Sequence, residues 1–245
     1  MNDIILDNLV IGYDRTPLIG SFSISNLSPS GGRLRGGELR SGWPEGGHLT
    51  IEAGRLTCLV GRNGVGKSTL LRTIAGLQPP LSGTVSIGGE DISRLSPSRR
   101  AKKVSIVLTR QPESGSLTVA EAVALGRMPY TNFWGTLTAE DRRIVEEAMR
   151  LTYINSLAHK RLARLSDGER QKAMIARAIA QQTPVILLDE PTAFLDHPSK
   201  ESLFELLTRL AHEHGKTILL STHDLELANR FADRMLTLTS TELRV

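Results

Sequence analysis

The spacing of apolar residues changes along the chain, and each change marks an element. "IILDNLVIGY" and "SFSIS", within residues 3–25, alternate apolar and polar positions around the polar turn "DRTP", the period of half-buried strands. "RLTCLVG", "VSIVLT", "PVILLDE" and "KTILLST" are short, nearly unbroken apolar runs, as expected of buried strands, and "GTVSIGG" is a further strand. "TLLRTIAGL", "SKESLFELLTRLAHEHG" and "DLELANRFA" carry helical spacing instead. From about 116 to 165 the pattern is helical throughout, in "TVAEAVALGR", "TAEDRRIVEEAMRLT" and "INSLAHKRL". Thr138, followed by Glu140 and Asp141, suits a helix N-terminus. Strands alternating with helices predict an α/β fold with a mainly parallel sheet covered on both faces, and residues 110–168 read as a helical insertion in it.

One stretch breaks the pattern. Residues 26–48, "NLSPSGGRLRGGELRSGWPEGGH", are rich in Gly, Ser and Arg and poor in core formers, so they read as a Gly-rich surface insertion or long hairpin loop. The basic run "SPSRRAKK" reads as a solvated helix face. A net charge of +4 suits a phosphate ligand, an anionic membrane surface or nucleic acid, and selects none of them. The single cysteine, Cys58, excludes an internal disulfide and sits in an apolar run, where a buried structural thiol is expected. "MNDIILDNLV" opens with acids rather than a basic leader, and no apolar run approaches the roughly 20 residues that span a bilayer. The expectation is a cytosolic protein, or one that reaches a membrane only through a partner.

Chemistry concentrates in a few motifs. Gly61-Arg-Asn-Gly-Val-Gly66-Lys67-Ser68 fits G-x-x-x-x-G-K-[ST] between a predicted strand and a predicted helix. Backbone N–H groups of Gly61, Asn63, Gly64 and Gly66 and the helix opening at Lys67, Ser68 and Thr69 would cradle phosphates. Lys67 would reach the β- and γ-phosphates, and Ser68 would ligate Mg²⁺. "VILLDEPT" ends a buried strand in acids, where parallel sheets collect ligands. Asp189 would hold Mg²⁺, directly or through water, and Glu190 would orient or activate the attacking water. His223 closes the next strand, in "LLSTHD", within reach of the γ-phosphate. "LARLSDGERQKAMIARAIA", residues 162–180, runs a Gly-bearing turn into a long helix and so supplies a second anion-receptive helix end.

The P-loop, "LSDGERQ", "ILLDEPT", "FLD" and "STHD", in this order, resemble the ATP-binding cassette of ABC ATPases over almost the whole chain. The resemblance implies one cassette over residues 1–245, with a P-loop NTPase core of mainly parallel sheet and an N-terminal antiparallel β subdomain at 1–109 and 169–245. It places an inserted α-helical subdomain at 110–168. It also implies ATP and Mg²⁺ as cofactors, Tyr13 stacked on adenine, and Asp196 in a loop that crosses to a second subunit. In such proteins two cassettes pack head to tail, so Ser166 and Gly168 would cap the ATP held on the partner's P-loop. A second anion-receptive helix end is redundant in a monomer and necessary in that arrangement.

Two departures from the family pattern stand out. The usual signature is LSGGQ, and here Asp167 and Glu169 replace Gly and Gln, which adds negative charge near the partner's γ-phosphate. The family places a Gln after the strand "VSIVLT", where it reaches Mg²⁺ and senses the permease. Ungapped reading puts Thr109 there; Gln111, two residues on, has the reach and the amide, and is the residue assigned to the nucleotide and metal here. "VALGRMPYTNFWGTLTAEDRRIVEEAM" resembles the ATPases of iron–siderophore, haem and cobalamin importers. The resemblance thus implies a homodimer at the cytoplasmic face of the cell membrane, with permease subunits, a substrate-binding protein and no nucleic acid as partners. A soluble ABC ATPase acting on DNA or the ribosome is the alternative; it would bring two cassettes or a long coiled-coil insertion, and no sustained heptads occur. A P-loop kinase would not need "LSDGERQ".

Overall fold

The computed structural model describes residues 2–13, 16–17, 21–26, 47–109 and 116–239. The chain opens with β1 (Ile4–Val10), β2 (Gly12–Tyr13), β3 (Thr16–Pro17), β4 (Ser21–Asn26), β5 (His48–Ile51) and β6 (Leu56–Gly61). Helix α1 (Lys67–Ile74), β7 (Ser82–Ile87), β8 (Glu90–Asp91), α2 (Pro97–Ala101) and β9 (Val104–Val107) follow. Then come α3 (Val119–Ala124), α4 (Ala139–Leu151), α5 (Asp167–Ala180), β10 (Val185–Asp189), α6 (His197–His212), β11 (Thr217–Ser221), α7 (Leu225–Phe231) and β12 (Arg234–Thr239).

The large sheet has the order β4-β12-β6-β11-β10-β9. Its pairs are parallel except β12–β4, which is antiparallel. A second, antiparallel sheet has the order β5-β1-β7-β8, and β2 and β3 form a small antiparallel ribbon. The expected α/β class, a mainly parallel sheet with an antiparallel one beside it, is the fold observed.

The unbroken apolar runs have a direct cause. In β10 and β11 every residue is buried, and successive side chains enter opposite cores. Leu188, Leu220 and Cys58 join Phe204 of α6 and Ala173 of α5 on one face. Leu187, Leu219 and Leu59 join Leu70 of α1 and Ile4 and Leu6 of the antiparallel sheet on the other. Each such fully buried leucine contributes about 1.5–3 kcal/mol of hydrophobic stabilisation. Cys58 is fully buried, and burial pushes its thiol far above its ordinary pKa, which leaves it inert.

Three sequence expectations change. "INSLAHKRL" is not a helix: it holds a 3-10 turn at Asn155–Leu157, and a second, Leu162–Arg164, begins at its last residue. Its backbone is used elsewhere, since Val119 N donates to Lys160 O (2.9 Å), Ala120 N to Ala158 O (3.0 Å) and Leu162 N to Leu117 O (2.9 Å). The helical run "TVAEAVALGR" tightens after α3 into a 3-10 stretch, Leu125–Tyr130, which contains Pro129, a residue without an N–H for the helix. Asn26 and His48, the ends of the expected insertion, are strand residues; 27–46 lie outside the described residues. The strand "RMLTLT", not anticipated from its pattern, is β12, seated between β6 and β4.

Candidate active site

Strands β6, β11 and β10 lie side by side, so the turns that leave them emerge along one edge of the sheet. β6 runs into the P-loop, β10 ends at Asp189, and β11 leads to His223. Because β11 lies between the other two, His223 stands between the P-loop lysine and the acidic pair.

The P-loop turns on Gly66, whose φ of 107° is open to glycine and strained for other residues. Gly66 is the N-cap of α1, and Leu70 N donates to its carbonyl (2.9 Å). Lys67 is buried, and its ammonium donates to Gly61 O (2.9 Å) and Arg62 O (3.2 Å). Burial lowers the Lys67 pKa, against the opposing pull of the Glu190 and Asp189 charges. Ser68 is half-buried, Asn63 and Gly64 are exposed, and Thr69 is buried in the first turn of α1.

Opposite stands the acidic pair. Asp189 is buried, and its Oδ1 accepts from Ser221 Oγ (2.8 Å). Glu190 Oε1 meets His223 Nε2 at 2.6 Å and lies 3.9 Å from Lys67 Nζ. A carboxylate only accepts, so the short contact places the imidazole proton on Nε2. Lys67 Nζ, 3.4 Å from the same nitrogen, then meets a donor there; the P-loop carbonyls and the Glu190 charge hold it in place. Lys67, His223 and Glu190 therefore form one cluster, as their motifs imply.

Ser166, Gly168 and Asp196 form a second group. Ser166 is the N-cap of α5 in a capping box: its Oγ accepts from Glu169 N (3.2 Å), and its N donates to Glu169 Oε2 (2.9 Å). Gly168 packs so close to the turn before α6 that a Cβ would lie 3.0 Å from Phe194 O. Asp196 caps α6 through Ser199 N (3.2 Å), and Lys172 of α5 donates to Ser199 Oγ (3.0 Å). Glu169, one of the departures from the signature, is thus tied into its own helix start, where the Ser166 N–H is the main cause of its lowered pKa. The other, Asp167, ion-pairs with Arg170 (3.0 Å). Tyr13 lies in the β2–β3 ribbon, which Gln78 Nε2 holds through Gly12 O (2.8 Å). Gln111 lies outside the described residues.

Sequence reasoning missed Ser221, and it weighed Thr109 only as a metal contact. Ser221 links Asp189 and Glu190, and Thr109 Oγ1 donates to Asp189 O (2.9 Å). No motif announces the grip of either on the acidic pair; each is a polar residue at the end of an apolar run. The capping role of Glu169 did carry a signal, the S-x-x-E spacing in "SDGE".

A divalent ion fits the donor set. Among the described residues no group of three His, Cys, Asp or Glu side chains is placed to cage a metal. Mg²⁺ is commonly held by few protein oxygens together with nucleotide phosphates, and the buried Asp189 carboxylate and the Ser68 hydroxyl after the P-loop lysine are donors of the kind that mode uses.

A parallel sheet with a P-loop at one strand end and an acidic pair on a nearby strand defines a P-loop nucleoside triphosphatase. The ABC transporter family profile matches residues 45–193, and the chain belongs to that family as an ABC ATPase domain. Over 192 residues it is 41% identical to the iron(3+)-hydroxamate import ATP-binding protein FhuC of Bacillus subtilis, covering 78% of this chain and 71% of that one. Over 217 residues it is 38% identical to the ferric enterobactin transport ATP-binding protein FepC of Escherichia coli, covering 86% and 80%. The dimeric structure of a bacterial ABC transporter cassette superposes with a TM-score of 0.77 at 27% identity, covering 96% of this chain and 94% of that one. The same cassette is known as a dimer in a post-hydrolysis state bound to ADP and Pi, with the same TM-score of 0.77.

Proposed function

We propose that this ATPase drives an importer of a metal chelate, of the iron–siderophore, haem or cobalamin class. It works as a head-to-tail homodimer beneath permease subunits at the cytoplasmic face of the cell membrane, with a substrate-binding protein delivering the cargo. The observation that carries the catalytic part is the Lys67–His223–Glu190 cluster beside Asp189. Likeness to the iron-import proteins carries the cargo class.

On this reading ATP lies on the P-loop, its adenine against Tyr13. Backbone N–H groups from Gly61 to Thr69 and the Lys67 ammonium take the phosphates. Ser68, Asp189 and Gln111 would hold Mg²⁺, which neutralises charge on the β- and γ-phosphates. Glu190 takes a proton from the attacking water, and His223 Nε2–H, now directed at Glu190, turns to the γ-phosphate. The partner's cassette completes the site with Ser166, Gly168 and the start of α5, while Asp196 lies at the crossing loop. The capping box leaves this helix start formed before the partner arrives, so closure does not have to order it.

The test is transport. In vesicles holding the permease with which the chain co-purifies, uptake of radiolabelled ferric siderophore, haem or cobalamin should require ATP on the chain's own side and stop with Glu190→Gln. ATP hydrolysis without uptake of any of these chelates would overturn the cargo assignment.

A further inference from the structure

The peptide between Asp189 and Glu190 is gripped from both sides. It lies where β10 ends, and Glu190 leaves it with φ at 51°, in the left-handed region that non-glycine residues adopt sparingly. The flanking strands run out within one residue of each other: Val107, the last residue of β9, pairs with Leu188, and Ser221, the last of β11, pairs with Asp189. Past these rungs side-chain hydroxyls take over from the backbone ladder. From the β9 side, Thr109 Oγ1 donates to Asp189 O (2.9 Å). From the β11 side, Ser221 Oγ accepts from Glu190 N (2.9 Å) and donates to Asp189 Oδ1 (2.8 Å). Ser221 is fully buried, so water does not compete for its hydroxyl.

We infer that Thr109 and Ser221 are positioning residues for hydrolysis. They clamp the two ends of one peptide bond, hold Glu190 in its left-handed conformation, and so aim its carboxylate at the place where His223 and Lys67 meet. One rotation about the Glu190 N–Cα bond moves that carboxylate, and the clamp fixes the plane from which this rotation starts. Ser221 also commits Oδ1 of Asp189, which sets how that carboxylate faces the P-loop. The inference gives Thr109 a role on the backbone of the acidic pair, separate from the metal contact proposed for Gln111. It rests on Glu190 acting as the base.

The experiment compares ATP turnover, KM for ATP and melting temperature of the full chain in a set of variants. Ser221→Ala and Thr109→Val should each lower kcat about tenfold, the rate equivalent of one hydrogen bond, with KM for ATP and melting temperature little changed. Ser221→Thr and Thr109→Ser keep the hydroxyl and should restore most of the rate. In a Glu190→Gln background, adding Thr109→Val should change the residual rate less than about twofold, because Thr109 touches only the peptide that carries Glu190. If Ser221→Ala does not fold, Thr109→Val makes the same comparison from the opposite strand. Parent-like kcat in both hydroxyl-deleted proteins, or a full further loss on adding Thr109→Val to Glu190→Gln, overturns the clamp. Parent-like turnover of Glu190→Gln itself overturns the base assignment on which the clamp depends. An inactive Glu190→Gln protein beside unimpaired Ser221→Ala and Thr109→Val proteins overturns the clamp alone.

Discussion

Glu190 is the residue on which the proposed chemistry turns. Its carboxylate meets a donor in His223 and a cation in Lys67, yet it stands one residue beyond the buried, hydroxyl-bound Asp189. On the proposed mechanism the two acids divide the work, Asp189 toward the metal and Glu190 toward water. Glu190→Gln keeps the shape and the contact with His223 while removing the base. It should leave ATP affinity near the parent's and cut turnover by at least about 10²-fold, read as phosphate release against nucleotide binding. Turnover close to the parent's would remove Glu190 from the catalytic role. Its position was legible in the sequence because an acid pair closes an apolar run after a P-loop. Its backbone conformation was not, because it depends on hydroxyls from strands far away in the chain.

At the scale of elements, Arg127 of the 3-10 stretch joins the start of α4, through a buried ion pair, to the end of α5, the helix capped by Ser166. Arg127 Nε donates to Asp141 Oδ1 (2.8 Å), and its Nη1 donates to Ala180 O (2.8 Å) and Gln182 Oε1 (3.1 Å). The guanidinium also lies over the Tyr130 ring, 4.2 Å from its centroid. Asp141 serves α4 as well, as the far end of a capping box with Thr138. Arg127→Met would leave that carboxylate buried without its cation and should cost about 3–5 kcal/mol in urea unfolding. Hydrogen bonds from Thr138 first, and then Arg127, hold the Asp141 pKa down from 3.8 to about 2. A carboxyl lowered by folding stabilises the protein above its unfolded pKa, and that contribution is lost as pH falls from about 4 toward about 2. Over this window the parent should therefore lose more stability than Asp141→Asn, and parallel unfolding curves would contradict the assignment. Thr138 with its acids was readable as a helix start. Arg127 was not readable as its partner, because the pairing depends on how α3 and the 3-10 stretch after it fold back on α5.

At the scale of the whole molecule, the parallel core was legible because burial on both faces makes a strand apolar at every position, as in β10 and β11. The misreadings came where tertiary pairing outweighed local pattern: "INSLAHKRL" gives its backbone groups to 117–120, and β12 is shaped by its neighbours in the sheet. The hydrogen bonds of Ser166 and Asp196 stay local, to Glu169 and Ser199, and their proposed work lies across a dimer. ATP hydrolysis by paired cassettes, each completing the other's site, is the claim that joins these parts. It is tested most directly by mixing a Ser166→Arg protein with a Lys67→Ala protein, each inactive alone, and measuring phosphate release. A mixed dimer holds one site with both defects and one with neither, so the mixture should regain up to about half of the parent rate per mixed dimer. No regained activity, with mixed dimers shown to be present, would contradict capping across the interface.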